Sequence, residues 1–248
     1  MNLLPTATST DVQKLRPRVA VLPVGSFEQH GTHLPLITDT VIACVVAREI
    51  ADTHPVHLLP PLTLSCSHEH AAFAGTVSIS ARTLHAVIDD IRASLTLSGI
   101  HKLVIVNGHG GNYVLSNVVQ EANVDGPAVS LFPLSTDWDR ARDDGGLVSD
   151  RHADMHAGEI ETSILLHSAP ELVGEEYADA DHDGGDRPHL LVHGVGPYTR
   201  TGVIGFPSHA TADKGKAVLE SLRQSFDQHL TALGEQAEAG PRGLPRQG

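Results

Sequence analysis

Short apolar runs alternate with longer segments of helical period along most of this chain, and that alternation most narrows what it can fold into. Val19–Val24, Val56–Leu59, Leu103–Val106 and Ala128–Phe132 read as strands. Between and after them, Thr40–Ala51, Arg82–Ser98, Tyr113–Asn123, Glu159–His167 and Lys214–Leu233 read as helices. In Arg82–Ser98, Leu84, Val87, Ile88, Ile91 and Leu95 recur on one helical face. A strand, a covering helix and a further strand bring the chain back parallel to itself. The pattern therefore predicts an α/β fold, a single-domain three-layer α/β/α arrangement with a mostly parallel sheet. Ligands of such sheets bind beyond the carboxyl ends of the strands.

Chemistry-bearing residues gather at those ends. Glu28 and His30 stand two apart in Gly25-Ser-Phe-Glu-Gln-His-Gly31, just after the first strand, and extended backbone would turn both to one side. Asp39 precedes a helix, His109 follows a strand in Asn107-Gly-His-Gly-Gly-Asn112, and Glu159 opens a helix in His156-Ala-Gly-Glu-Ile-Glu-Thr-Ser163. Glycine-rich turns around them permit close backbone approach. Taken singly, an aspartate before a helix is a cap and a histidine after a strand is a hydrogen-bonded loop residue. Taken together, a histidine and carboxylate set without thiolates suits zinc, manganese or iron, whereas calcium prefers oxygen alone. Five such side chains suffice for two divalent ions. A pair of ions about 3.5–4 Å apart can activate a water and polarise a carbonyl without any serine or cysteine nucleophile.

Composition removes several other classes. A formal charge of −13 with no basic patch argues against nucleic acid. Neither a signal sequence nor an apolar stretch of membrane-spanning length is evident, so a cytoplasmic protein without membrane attachment is the expectation. Cys44 and Cys66 form no disulfide framework or zinc-finger spacing, and Cys44 falls in an apolar run as a small core residue. There is no Gly-x-Ser-x-Gly elbow for a serine hydrolase. His68-Glu69-His70 lacks the second histidine of a zincin helix, since Ala72 stands in its place. Within the acidic insertion 174–201, Asp179-Ala-Asp-His-Asp-Gly184 imitates the start of a calcium loop but fails at its twelfth position, Leu190. The domain is expected to span 1–235, with a disordered tail over 236–248.

The blocks Leu22-Pro-Val-Gly-Ser-Phe-Glu-Gln-His-Gly-Thr-His-Leu-Pro-Leu36, Thr38-Asp39-Thr40, Phe73-Ala-Gly-Thr76, Asn107–Asn112, His156–Ser163, Gly202-Val-Ile-Gly-Phe-Pro207 and Ala212-Asp-Lys-Gly215 run in the order found in the creatinine amidohydrolase (creatininase) family, which the chain resembles from about Val19 to Leu233. The resemblance implies a binuclear site, zinc first with manganese or iron(II) as alternatives. Asp39 would bridge, Glu28 and His109 would complete one site, and His30 with Glu159 the other. In creatininase a glutamate two residues after the matching histidine is a ligand; here that position is Gly111, which is why Glu159 is taken as the substitute. Glu161, about 200° away around a helix, is expected to brace the site instead. His156 matches the family's catalytic histidine, and Asp154 could orient its ring. Glu69, His70, Gly110, Gly111 and Asn112 would line or support the pocket. The implied reaction is hydrolysis of a C–N amide bond: water activated between the ions attacks the carbonyl and His156 protonates the departing nitrogen. Relatives act on creatinine, on formamide-bearing pyrimidines and on a mycofactocin precursor peptide. With one tryptophan, Trp138, and a different ligand pattern, creatinine is expected to be a poor substrate. A homo-oligomer, commonly a hexamer, is also implied. Outside this class, a phosphate-binding module built on Asn107–Asn112 leaves Glu28 and Asp39 unexplained, and a non-catalytic metal-binding protein would hold metal without turnover.

Overall fold

Four parallel strands, β1 (Val19–Val24), β2 (His57–Leu58), β3 (Lys102–Asn107) and β4 (Val129–Phe132), line up in the order β2-β1-β3-β4 in the computed structural model, which describes residues 3–235. The central pair is in continuous register from Val19 opposite Lys102 to Val24 opposite Asn107. Successive side chains of a strand leave opposite faces, and both faces here are buried. Val19, Val21, Val104, Val106 and Phe132 belong to one core, while Ala20, Leu22, Val24, Leu103, Ile105 and Val129 belong to the other. That is why β1 and the middle of β3 read as unbroken apolar runs.

Helices fill the outer layers. On the first face lie α2 (Thr38–Ala51), α5 (Ser135–Asp144), α6 (Glu159–Ser168) and α8 (Ala212–Ala232), contributing among others Val41, Ile42, Ala141, Ile164, Leu165, Val218, Leu222 and Phe226. On the second lie α3 (Ala81–Leu97), through Leu84, Ile88 and Leu95, and α4 (Val114–Ala122), through Leu115 and Val118. The expected three-layer α/β/α fold is the observed one. Ser80 and Thr211 cap α3 and α8 by accepting from the amides of Thr83 and Lys214.

Three helices had no apolar period to announce them. The first, α1 (Ser9–Leu15), buries nothing and is closed by a Thr8/Asp11 capping box. In α5, only Trp138 and Ala141 turn hydrophobic surface to the core amid charged neighbours. The short α7 (Leu190–His193) lies in the 174–201 insertion, whose Asp181 carboxylate accepts from the Ser208 amide and hydroxyl. Among the described residues no helix is long and apolar enough to cross a membrane. The expected tail 236–248 lies outside the described residues.

Candidate metal centre

The carboxyl ends of β1 and β3 and the amino end of α2 converge on one buried cluster. Gly108 follows β3 so closely against α2 that a Cβ there would lie 2.3 Å from the Asp39 carbonyl oxygen, so only glycine lets His109 reach Asp39. The loop after β1 is tied down by the Glu28 amide donating to the Leu36 carbonyl. Asp39 then lies between two rings, with Oδ1 3.0 Å from His30 Nε2 and Oδ2 3.0 Å from His109 Nδ1. The Ser26 hydroxyl donates to Oδ2 at 2.7 Å. Glu28 Oε2 lies 3.2 Å from His109 Nε2, and its Oε1 faces His70 Nε2 at 3.4 Å and His156 Nδ1 at 3.7 Å. Among the described residues three sets of donors lie close enough to hold a cation: Glu28, Asp39 and His109; His30, Asp39 and Glu161; and Glu28, His30 and His156.

Glu159 is not among them, contrary to the expectation from sequence. Its carboxylate accepts from the amides of Val148 and Ser149 and pairs with Lys214 Nζ at 2.6 Å, so it is already committed on the far side of α6. Burial would raise its pKa, but Lys214 and the two amides outweigh that and lower it. Glu161 takes the inward position instead, with Oε2 3.9 Å from His30 Nε2 and accepting from the Ala157 amide at 2.6 Å. Asp154 does not orient His156; it accepts from the Glu159 and Ile160 amides at the start of α6 and pairs with Arg142 at 2.6 Å.

The residues of this cluster fit a metal in two respects. Both oxygens of Glu28 are buried and, among the described residues, have no hydrogen-bond partner, a costly state for a carboxylate unless a cation meets it. Backbone carbonyls also fix three rings. His30 Nδ1 donates to the Glu28 carbonyl at 3.0 Å, His109 Nε2 to that of Cys66 at 2.8 Å, and His156 Nε2 to that of Gln29 at 2.6 Å. In each neutral ring the lone pair is left on the other nitrogen, which faces Asp39 in His30 and His109 and Glu28 in His156, as metal-ligating histidines require.

The electrostatics agree. Burial opposes charge on His30, but Asp39, then Glu161 and Glu28, overcome it and raise its pKa to about 10. His109 is likewise raised, against burial, by Glu28 and Asp39. Burial lifts Glu28 to about 8 and Glu161 to about 7. Protons on His30 and His109 thus act as counter-charges that a divalent cation would displace. His156 shifts the other way, driven well below the usual imidazole range by burial and by His30 and His70, so it is neutral. His70 falls to about 4 through burial and His109.

The supporting residues separate by role. The Asn112 side chain accepts from the Cys66 amide and donates to Asn107, joining the loop that carries His68–His70 to the end of β3. Glu69 Oε1 lies 3.5 Å from His109 Nε2 and 1.7 Å from where a Gly111 Cβ would be, so it uses space that any side chain at 111 would take. Gly110 faces open space. Ser26 and Gln29 escaped sequence reasoning; their place beside Glu28 was the available signal.

The family model described as creatinine amidohydrolase matches residues 5–230. The chain belongs to the creatinine amidohydrolase family. It is a hydrolase of that family. It is 35% identical over 232 residues to a mycofactocin precursor peptide peptidase of Mycobacterium ulcerans, covering 88% of this chain and 86% of that one. It is 28% identical over 230 residues to a creatinine amidohydrolase of Pseudomonas putida, covering 84% and 86%. A solved tryptophan-to-alanine variant of creatininase superposes with a TM-score of 0.75 at 22% identity, covering 90% of this chain and 95% of that one. Another creatininase variant, described as of Zn–Zn type, gives a TM-score of 0.72 at 24% identity over 90% and 95%.

Proposed function

We propose that this family member is a binuclear metal-dependent amidohydrolase that cleaves a C–N amide bond in a peptide-derived substrate rather than in creatinine. The observation that carries the metal reading is the pair of buried Glu28 oxygens, without a hydrogen-bond partner among the described residues, beside Asp39 and three histidines that backbone carbonyls hold in place. Glu28, Asp39 and His109 would hold one divalent ion and His30, Asp39 and Glu161 the other, with Asp39 common to both. When bound, two such ions supply an activated water and an electrophile for the carbonyl. Zinc suits this donor set first, with manganese and iron(II) next.

The chain's own residues do the rest. Asp39 offers one oxygen to each side, with Ser26 holding its Oδ2. His156, neutral and turned inward through Nδ1, can take a proton there and return it to the departing nitrogen.

Two features support a peptide-like substrate. A cavity of about 430 Å³ opens beside Glu69 and Gly111, walled by Tyr113 and by Leu190, Leu191, Val192 and His193 of α7. A small planar ring would leave much of it unfilled. The one tryptophan, Trp138, packs against the core under α5 and offers no stacking surface to that cavity. A larger cavity of about 1060 Å³ lies by edge strand β2, but among the described residues no carboxylate lines it.

The test is to load the purified chain with zinc or manganese, count ions by elemental analysis, and compare initial rates on a short peptide, a formamide and creatinine. About two ions per chain, chelator-sensitive activity and a preference for the peptide are expected. Full activity after complete metal removal would overturn the metal reading, and efficient creatinine turnover the substrate reading. Metal held without turnover of any amide would point to a binding protein. Light scattering should find a closed homo-oligomer, a hexamer by likeness to the family; a 26.3 kDa particle would exclude it.

A further inference from the structure

Four imidazoles surround Glu28, and one is wired in the opposite sense to the others. His30, His109 and His156 each give a proton to a backbone carbonyl and turn the other nitrogen inward. Among the described residues the His70 ring meets no carbonyl. Its Nδ1 lies 2.9 Å from Gln29 Nε2. That amide cannot be reversed, because Gln29 Oε1 accepts from the Gly31 amide at 3.0 Å and Nε2 donates to the Gly202 carbonyl at 3.1 Å. Turning it over would set oxygen against oxygen and N–H against N–H. Gln29 is therefore a donor to His70, Nδ1 is an acceptor, and the ring proton lies on Nε2.

That proton points to the centre without a fixed partner. Nε2 lies 3.4 Å from Glu28 Oε1, yet this oxygen makes no hydrogen bond, so the N–H is not aligned with it. His70 is buried, packs its ring 4.3 Å from that of His156, and joins none of the closely spaced donor sets. A nitrogen that carries a proton has no lone pair for a cation. The turn that bears it is firmly set, since the His70 amide donates to the Ser67 carbonyl and the Val195 amide to that of Glu69. The neighbouring Glu69 lines the cavity beside the cluster.

We infer that His70 is a substrate-facing hydrogen-bond donor, serving the carbonyl oxygen of the scissile amide, and that Gln29 is the positioning residue that holds it in the Nε2–H tautomer. The role of the donor rests on the amidohydrolase reading above; its tautomer does not. As charge develops on the carbonyl oxygen, a donor already oriented in a site closed to water stabilises it without reorganising. His70 keeps its proton throughout, while His156 moves one. Division of these tasks follows from wiring, since the two rings differ in which nitrogen the backbone or Gln29 has claimed.

The test uses the full chain. Histidine side-chain nitrogen shifts are recorded with and without zinc, His70 being assigned by loss of its signal in His70→Ala. A proton on Nε2 and an accepting Nδ1 are expected in both states, and Nε2 coordinated to zinc, or a proton on Nδ1, would overturn the inference even if no amide is ever turned over. Cobalt-loaded His70→Ala should keep its metal content and visible spectrum, whereas His30→Ala should change both. Acetate, whose oxygens can accept the same proton, is titrated into the cobalt-loaded protein; a tenfold or greater loss of affinity in His70→Ala, with partial recovery in His70→Gln, is expected. On a peptide amide, kcat should fall about 10²–10³-fold with KM little changed. Gln29→Leu should lower kcat in the same way while retaining metal; should it fail to fold, the His70→Gln recovery still decides. Unchanged acetate affinity in folded, cobalt-loaded His70→Ala would sink the donor role, whereas a wild-type chain that binds no cobalt would sink the metal reading and leave the tautomer result standing.

Discussion

Two glutamates at the start of α6 show how differently one helix turn can use the same side chain. Glu159 leaves the helix towards α8 and the chain after α5, where Lys214 and the Val148 and Ser149 amides satisfy it fully. Glu161 leaves towards β1 and α2, where it meets His30 and, among the described residues, has only the Ala157 amide as a hydrogen-bond donor. The first carboxylate is a finished ion pair and its pKa is lowered; the second is lifted to about 7 by burial. Completed pairing marks a structural acid, and incomplete pairing among histidines marks one available to a cation.

The greatest effect should come from the residue both ions would share. Asp39→Ala is expected to reduce bound metal from about two ions per chain to nearly none and to abolish amide hydrolysis. Elemental analysis after dialysis measures this, and a variant that keeps both ions would contradict the bridging role.

The glutamates themselves provide the sharper contrast. Glu161→Ala should lose about one ion of two and stay folded. Glu159→Ala should keep its metal but lose about 3 kcal/mol of stability, the lower end for breaking a buried pair because Lys214 keeps partial access to water. Denaturant titration and metal analysis on both variants would erase the comparison if the two behaved alike.

Acid should narrow the difference between wild type and Glu159→Gln. A carboxyl whose folded pKa is lowered binds fewer protons folded than unfolded, so its stabilisation is present above the ordinary value of 4.5 and is lost as pH falls through the folded value. Unfolding curves from neutral pH downwards should therefore converge; a constant gap would mean that Glu159 acts by packing alone.

The smallest effect is local. Cys44 is buried beside His167 and Leu219, at the seam of α2, α6 and α8, and burial pushes its thiol up to about 11. Alkylation near pH 8 should be slow and quicken as pH rises and thiolate forms. Glu159→Ala should speed it modestly by loosening α6 and α8, and Glu161→Ala should not. Equal rates would show that the Glu159 pair does not brace this seam.

Much of this was legible along the chain. Alternate residues of β1 and β3 divide between two cores, so both strands announced themselves as apolar runs covered on both sides. Helix α5 did not, because Trp138 and Ala141 are too few to set a period among its acids and arginines. Glu28, His30, Asp39 and His109 were legible because they stand in the loops that follow β1 and β3 and in the first turn of α2, where ligands of parallel sheets gather. The opposed directions of Glu159 and Glu161 were legible too, but Glu161, rather than the expected Glu159, faces inward.

That division has a physical cause. Local order, strand ends, glycine turns and the angle between neighbours on a helix are properties of covalent geometry and short-range sterics, and the sequence by itself determined them. The rotation of α6 about its axis was decided only in the folded chain, where Lys214, 55 residues on, takes one carboxylate and His30, from the far end of the sequence, faces the other. The Gln29 amide was likewise oriented only when Gly202 reached it, and with it the ring of His70. A side chain's partner across such separations is a product of packing, and so is its chemistry.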